Sequence, residues 1–223
     1  IESITAANTT YGQSIVSYTG SGTSGNTVGH GLSSAPNLVI IKMRSGTDSW
    51  VVVTRGAGIT DYTGRHLNLD YAFNDQAYNV SAMSSSTFTL GNDAQSNANN
   101  STYVAYCFHD VTGYSKFSSY TGTGGTHTVT TGFSPALIMI KQSSAAGENW
   151  KMYDNTRYPN TAEKTLDANT NGVEGGGSAI KINYLSTGFQ VVGTNADINT
   201  NNATYIYAAF ADKREYAYWL DQS

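Results

Sequence analysis

The strongest constraint on the fold is a ten-residue segment that occurs twice. Residues 101–110 read STYVAYCFHD, and residues 203–212 read ATYIYAAFAD. Tyr103 corresponds to Tyr205 and Phe108 to Phe210, at a constant offset of 102 residues. Aromatic and β-branched residues with a two-residue period are typical of a strand that is covered on both faces. The sequence therefore predicts two buried strands in equivalent places of the fold.

Matching motifs precede both copies of this segment. YTG occupies residues 18–20 and 120–122, and an apolar run that ends in Ile-Lys occupies residues 36–42 and 135–141. The offset between the matches varies from 99 to 102 residues, as small loop insertions would produce. Such a period indicates a repeated structural unit, and a unit of about 100 residues has the size of a small domain.

The repeat predicts a four-part organisation. Residues 1–16 form an N-terminal extension or donor-like strand, residues 17–112 and 113–212 form two tandem duplicated domains, and residues 213–223 form a C-terminal tail. We expect a hinge between the domains at residues 111–118. A single body of two sheets that share strands between the halves is the alternative.

The pattern within each unit indicates an all-β fold. Short alternating segments are separated by turns rich in Gly and Asn, at a spacing typical of sandwiches and jelly rolls. No segment keeps the 3.6-residue period of an amphipathic helix. We therefore predict two jelly-roll-like β-sandwich domains.

Composition restricts the environment and the partners. Only 13% of the residues are charged, about half the usual fraction, while the chain contains 16 tyrosines. This balance is common among extracellular β proteins. The net charge of −4 argues against a nucleic-acid partner, and no apolar run has the roughly 20 residues of a membrane span. The only cysteine, Cys107, lies in the first twin segment, where we expect a small buried side chain.

The order of the motifs resembles a repeated domain of tail and other virion proteins of bacteriophages, especially phages of aquatic bacteria. The elements that carry the resemblance are YTG, Gly-Phe-x-Pro, a strand ending in Ile-Lys, a tryptophan, an arginine, a Gly-Phe-Thr-Leu-Gly strand, an Asn-rich turn and the closing aromatic strand. The second copy departs from the pattern at Tyr158-Pro159, where a glycine is usual after the arginine. The resemblance implies a structural part of an extracellular particle, a virion, without catalytic residues.

Two tryptophans are candidates for contact with a sugar, such as a host glycan. Trp50 and Trp150 each follow a polar loop that carries an acidic residue two positions earlier. Exposed aromatic rings beside acids or amides are typical of carbohydrate-binding surfaces. Their recurrence in both copies favours packing in the core instead, because a repeated fold keeps its core residues.

Both ends of the chain are candidates for contact with a neighbouring subunit. The N-terminal end contains Ile4 and Tyr11, and the C-terminal tail contains Tyr216, Trp219 and Leu220. An unpaired sheet edge is a template for another strand, so either end could complete the sheet of a neighbour. We therefore expect a homo-oligomer or a filament. A loose N-terminus is the alternative for residues 1–14.

Asparagines suggest two further kinds of site. Glycosylation sequons begin at Asn8, Asn79, Asn99, Asn100 and Asn202. The loops 92–100 and 195–202 are rich in side-chain oxygens, which calcium binds, but asparagine is also an ordinary residue of tight turns. We expect turns and no cofactor, with calcium as the alternative.

The sequence gives little support for catalysis. It contains no Gly-x-Ser-x-Gly elbow and no Cys/His spacing for zinc. A carboxylate pair for glycoside hydrolysis would have to come from acidic residues in or near loops, namely Asp70, Asp75, Asp93, Glu174 and Asp197. We predict a non-enzymatic structural subunit of an extracellular assembly, such as a phage tail protein. A self-assembling surface filament joined by strand addition and a carbohydrate- or receptor-binding module are the alternatives.

Overall fold

The computed structural model describes residues 1–212, which form antiparallel β-sheets. The strands of the first half are β1 (Ser3–Asn8), β2 (Gln13–Thr19), β3 (Thr27–Gly29), β4 (Leu38–Met43), β5 (Val51–Thr54), β6 (Thr63–His66), β7 (Asn74–Asp75), β8 (Val80–Met83), β9 (Thr87–Leu90) and β10 (Thr102–Phe108). Those of the second half are β11 (Ser115–Thr121), β12 (Thr126–Thr130), β13 (Pro135–Gln142), β14 (Lys151–Asp154), β15 (Thr161–Ala162), β16 (Lys164–Asp167), β17 (Gly175–Gly176), β18 (Lys181–Leu185), β19 (Gly188–Val192) and β20 (Thr204–Ala211). The helical elements are α1 (Ala94–Asn97), α2 (Ala196–Asn199) and a 3-10 helix (Ser178–Ile180).

The predicted all-β class is confirmed, and each half contains a large and a small sheet. The first large sheet has the order β1-β2-β10-β4-β5-β6-β7, and the first small sheet has the order β3-β9-β8. The second large sheet has the order β11-β20-β13-β14-β16-β17, and the second small sheet has the order β12-β19-β18-β15. Neither short helix in residues 1–212 has the length and apolar character that crossing a membrane requires.

An apolar core lies between the two sheets of each half. Phe88 and Leu90 of the first small sheet pack with Ile41 of the first large sheet, and Phe189 of the second small sheet packs with Ile140 of the second. Strand alternation explains this arrangement, because every second side chain points to the same face. Cys107 is fully buried in the first core, as predicted for a small apolar residue.

The halves repeat a local arrangement of stacked tyrosines. Tyr18 stacks on Tyr103 with ring centroids 5.1 Å apart, and Tyr120 stacks on Tyr205 at 5.0 Å. The hydroxyl groups of Tyr103 and Tyr205 donate to backbone oxygens of α1 and α2 at 2.6 and 2.7 Å. These contacts fix a short helix at the end of each large sheet. Duplication as the origin of the two halves stays a hypothesis.

A third apolar cluster joins the two halves. It brings the outer faces of the large sheets together, where Leu38 and Val52 of the first sheet meet Phe117, Ile206 and Ala208 of the second. The expected hinge at residues 111–118 is therefore wrong. The last four of these residues, 115–118, belong to strand β11. The third cluster packs the halves into one body of four layers, namely the two large sheets in the middle and a small sheet on each outer side.

The N-terminal residues belong to the first large sheet. β1 pairs in register with β2, from Ser3 opposite Tyr18 to Asn8 opposite Gln13. The predicted boundary after residue 16 falls inside β2, so residues 1–16 are neither a separate extension nor a loose terminus. The predicted C-terminal tail, with Tyr216, Trp219 and Leu220, lies outside the described residues.

Candidate functional site

The two tryptophans occupy equivalent positions but different environments. Trp150 is only 4% exposed because it lies in the cluster between the halves, where its Nε1 donates to the backbone oxygen of His66 at 3.0 Å. The prediction that Trp150 contacts a sugar is therefore wrong, since neither ring face is open. Trp50 is half-buried and stacks on Tyr106 with ring centroids 6.3 Å apart. Sugar contact at Trp50 stays a prediction.

The sequons differ in accessibility. Asn79 is fully buried and its amide donates to Gln76 Oε1 at 2.9 Å, so glycosylation at this position is wrong as a prediction for the folded chain. Asn8, Asn99, Asn100 and Asn202 are exposed. Glycosylation at these four exposed positions stays a prediction.

The Asn-rich loops are tight turns closed by buried amides. Asn199 accepts a hydrogen bond from Thr123 N at 2.9 Å and donates to the backbone oxygens of Gly125 and Gly193 at 2.6 and 2.8 Å. Asn97 makes the equivalent three contacts in the first half. Both atoms of each amide are thus used to tie a turn, as the sequence predicts. Calcium binding by these two side chains would require breaking those bonds.

A cluster of charged side chains lies at the end of the second large sheet. Lys151 Nζ is 2.7 Å from Asp167 Oδ1 and 3.1 Å from Asp197 Oδ2, so it joins strand β16 to helix α2. Burial, with the neighbouring Asp197, raises the pKa of Glu148. A cleft of about 250 Å³ opens beside Lys151, Asp167 and Asp197. The sequence pattern did not predict this cluster, although the lysine at the start of strand β14 was a signal for it.

The first half fills the same place with different polar groups. Gln95 donates from Nε2 to Asp48 Oδ1 at 2.8 Å, and its Oε1 lies 3.0 Å from His66 Nε2. Gln95 corresponds to Asp197, because each is the second residue of its short helix. His66 corresponds to Asp167, because each pairs with the first residue of the neighbouring strand. The feature common to both halves is the link between the short helix and the large sheet, which indicates a structural role.

Lys141 is the most deeply buried charge beside this cluster. Its side chain is fully buried, and Nζ donates to the backbone oxygens of Gln142 at 2.8 Å and Asp70 at 3.4 Å. Burial lowers the pKa of Lys141 to about 8, although the nearby acids, Glu148 first among them, oppose the shift. The folded protein therefore favours the neutral amine more than the unfolded chain does.

This shift predicts how stability depends on pH. Between pH 8 and roughly 10.4 the unfolded chain keeps the proton on Lys141 while the folded protein releases it, so the free energy of unfolding should rise across this window. Lys141→Met should remove a rise on the order of 3 kcal/mol, measured by urea unfolding at several pH values. Lys164→Met, at an exposed position, controls for the lost charge. Parallel curves for the wild type and Lys141→Met would contradict the assignment.

The acidic residues considered for hydrolysis serve different local contacts. Asp93 caps α1 by accepting from Gln95 N at 2.8 Å, and Asp75 accepts from Ala77 N at 2.8 Å. Glu174 pairs with Arg157, and Asp197 with Lys151. The backbone oxygen of the fifth, Asp70, accepts from Gly147 in the contact between the halves. Each of these residues has a structural partner.

The edge of the first large sheet is exposed along almost its whole length. Every residue of β1 except Ser3 is exposed, and Ile4 keeps 78% of its surface in solvent. Tyr11, in the turn after β1, is 39% exposed and packs on Tyr114 of the same chain at 4.7 Å. A groove of about 460 Å³ lies beside the strand, with Ile15 and Tyr106 in its wall. This edge and the sheet face next to it form the candidate functional site.

Comparison with known proteins gives one match. The family model described as Domain of unknown function (DUF7483) matches residues 1–214, which include β1 and both halves. No curated protein and no solved structure matches the chain. The family is thus defined over the whole four-layer body.

Proposed function

The chain belongs to the DUF7483 family, and we propose that it is a non-enzymatic structural subunit that assembles with copies of itself in an extracellular particle or filament. The observation that carries this proposal is the unprotected outer edge of β1. Six residues, SITAAN, end the first large sheet there, and none of them is charged or a proline. Natural proteins usually protect such edges with charges, prolines or bulges.

The edge is also held in a conformation that is ready to pair. β1 follows β2 without a change of register, and Ser3 Oγ donates to Gly29 O at 3.0 Å, which fixes the strand over the first small sheet. The outer backbone groups of β1 have no hydrogen bond to another strand within residues 1–212. Ordered groups of this kind can pair with a neighbouring chain at a small entropic cost.

The polar groups support a structural role over catalysis. In the second half Lys151 pairs with Asp167 and Asp197, and in the equivalent place of the first half Gln95 links His66 to Asp48. The motif order described above supports a particle of the virion kind. The surface, which relies on Ser, Thr, Asn and Gly for its polarity, supports an extracellular location.

Charged residues on the edge test this proposal. The full chain should form ordered assemblies in negative-stain images, and Ile4→Lys with Ala6→Lys should abolish them while thermal unfolding stays unchanged, because both side chains are exposed. Ser33→Lys with Thr187→Lys, at exposed loop positions, is the matched control. A full chain that stays monomeric at every concentration would contradict the proposal, and assemblies that survive the β1 substitutions would exclude this edge.

A further inference from the structure

The two halves contribute different positions of their large sheets to the contact between them. Strand pairing fixes which positions are equivalent, because Tyr106 lies between Ile15 and Ile40 as Ala208 lies between Phe117 and Met139. In the contact, the first sheet contributes Leu38 and Val52, whereas the second contributes Phe117, Trp150, Ile206 and Ala208. The equivalent Phe108 and Phe210 meet, with ring centroids 5.9 Å apart. None of the buried residues of the contact has its counterpart there, however, as a twofold interface would require. The halves are packed head to tail.

The positions that the contact does not use form an apolar patch on each large sheet. In the first sheet the unused positions are Ile15, Val104 and Tyr106, the counterparts of Phe117, Ile206 and Ala208. We define the first patch as these three residues together with Ile4 and Ala6 of the adjacent strand β1. In the second sheet the unused positions are Leu137 and Met152, the counterparts of Leu38 and Val52. We define the second patch as these two residues together with Leu166, which pairs with Met152.

Exposure separates the used positions from the unused ones. Phe117 is 3% exposed, whereas its counterpart Ile15 is 51% exposed. Val52 is 1% exposed, whereas its counterpart Met152 is half-buried and the adjacent Leu166 is 40% exposed. The twin strands differ in the same way, because β20 is buried on both faces along most of its length and β10 only on its inner face. Each large sheet thus exposes the positions whose counterparts on the other large sheet are buried in the contact between the halves.

We propose that a second copy of the chain occupies these patches, with the second patch of one copy on the first patch of the next. This inference rests on the proposed function and specifies its contact. Both patches continue directly into the interface between the halves, because β10 and β13 contribute to both. The contact would repeat between chains the packing that joins the halves within one chain.

Such a contact has a defined outcome for the assembly. A head-to-tail contact uses two different surfaces, so each added copy leaves one of each surface free. The result is an open filament, or a ring where the rotation between copies closes, and not a twofold dimer. Within it, first large sheets would lie side by side in one row and second large sheets in the facing row. The free edge of β1 would then lie at the junction between copies.

Thiol cross-linking tests the orientation. Native Cys107 is fully buried and burial raises its pKa to about 12, so introduced cysteines would be the reactive ones. With a short bifunctional thiol cross-linker, a mixture of Ile15→Cys and Leu166→Cys chains should give a cross-linked dimer, and neither variant alone should do so. A chain that carries both substitutions should give a ladder of oligomers. Dimers of Ile15→Cys alone would indicate a twofold contact and overturn the inference.

Charge substitutions supply an independent test. Ile15→Asp and Leu166→Asp should each abolish the assemblies, because each places a carboxylate in one patch, while Thr128→Asp on the second small sheet should leave them intact. Assemblies that persist in both patch variants would overturn this inference but leave the proposed function standing. A wild-type chain that does not assemble, together with cysteine variants that give no cross-linked species, would overturn both.

Discussion

Replacing Trp150 with alanine should lower the free energy of unfolding by about 3–5 kcal/mol, as removal of a buried tryptophan typically does. The side chain packs between the halves against Phe73, with ring centroids 5.9 Å apart. Its loss would leave a cavity in the interface and an unpaired backbone oxygen at His66. Urea unfolding followed by circular dichroism would measure the change.

The chain contains a matched control for this substitution. Trp50→Ala removes the equivalent side chain from a half-buried position, and we expect a loss of about 1 kcal/mol or less. Trp150→Phe should fall between the two variants, because it keeps most of the apolar packing but removes the indole donor. Equal losses for Trp50→Ala and Trp150→Ala would contradict the assignment of Trp150 to the interface.

Replacing Asn199 with alanine should cost roughly 3 kcal/mol or more, because it leaves buried backbone groups without partners. The amide is fully buried and ties the segment between β19 and β20 to the turn between β11 and β12, with two hydrogen bonds to that turn and one to Gly193. Asn97→Ala should have a similar effect in the first half, since its contacts are equivalent. Thermal and urea unfolding of the two variants would measure the losses.

A neighbouring asparagine supplies the control for this second prediction. Asn201 is exposed, and Asn201→Ala should change stability by less than about 0.5 kcal/mol. Asn199→Asp would test the donors separately, because a carboxylate can accept from Thr123 but cannot donate to the two glycine carbonyls. If Asn199→Ala and Asn201→Ala unfolded alike, the turn would not depend on the buried amide.

The sequence predicted the features that depend on local pattern. A two-residue period of aromatic and β-branched residues identified β10, and an apolar run identified β4. The equivalence of Tyr103 and Tyr205 was visible in the same pattern. The expectation that β10 is covered on both faces was wrong, because its outer face is only partly buried. The asparagine-rich runs around residues 97 and 199 indicated turns, because asparagine is common in turns. They did not indicate that two bonds of each buried amide reach a distant turn near the start of the same half.

The candidate site was predicted only in part. Ile4 and Tyr11 were expected at a subunit contact, and both are exposed at the edge of the first large sheet. Ile15 was missed, because its position within a strand does not show whether another sheet covers its face. The cluster around Lys151 was missed because its partners, Asp167 and Asp197, are distant in sequence.

The sequence by itself determined the all-β class, the twin strands and the positions of the turns, because these depend on periodicity and on local residue preferences. Only the tertiary structure decided that Trp150 is buried while Trp50 is half-exposed, and that β20 is covered on both faces while β10 is not. The local patterns at these positions are closely similar. The difference arises because the two halves pack through different parts of equivalent surfaces, and that choice depends on contacts between residues far apart in the chain.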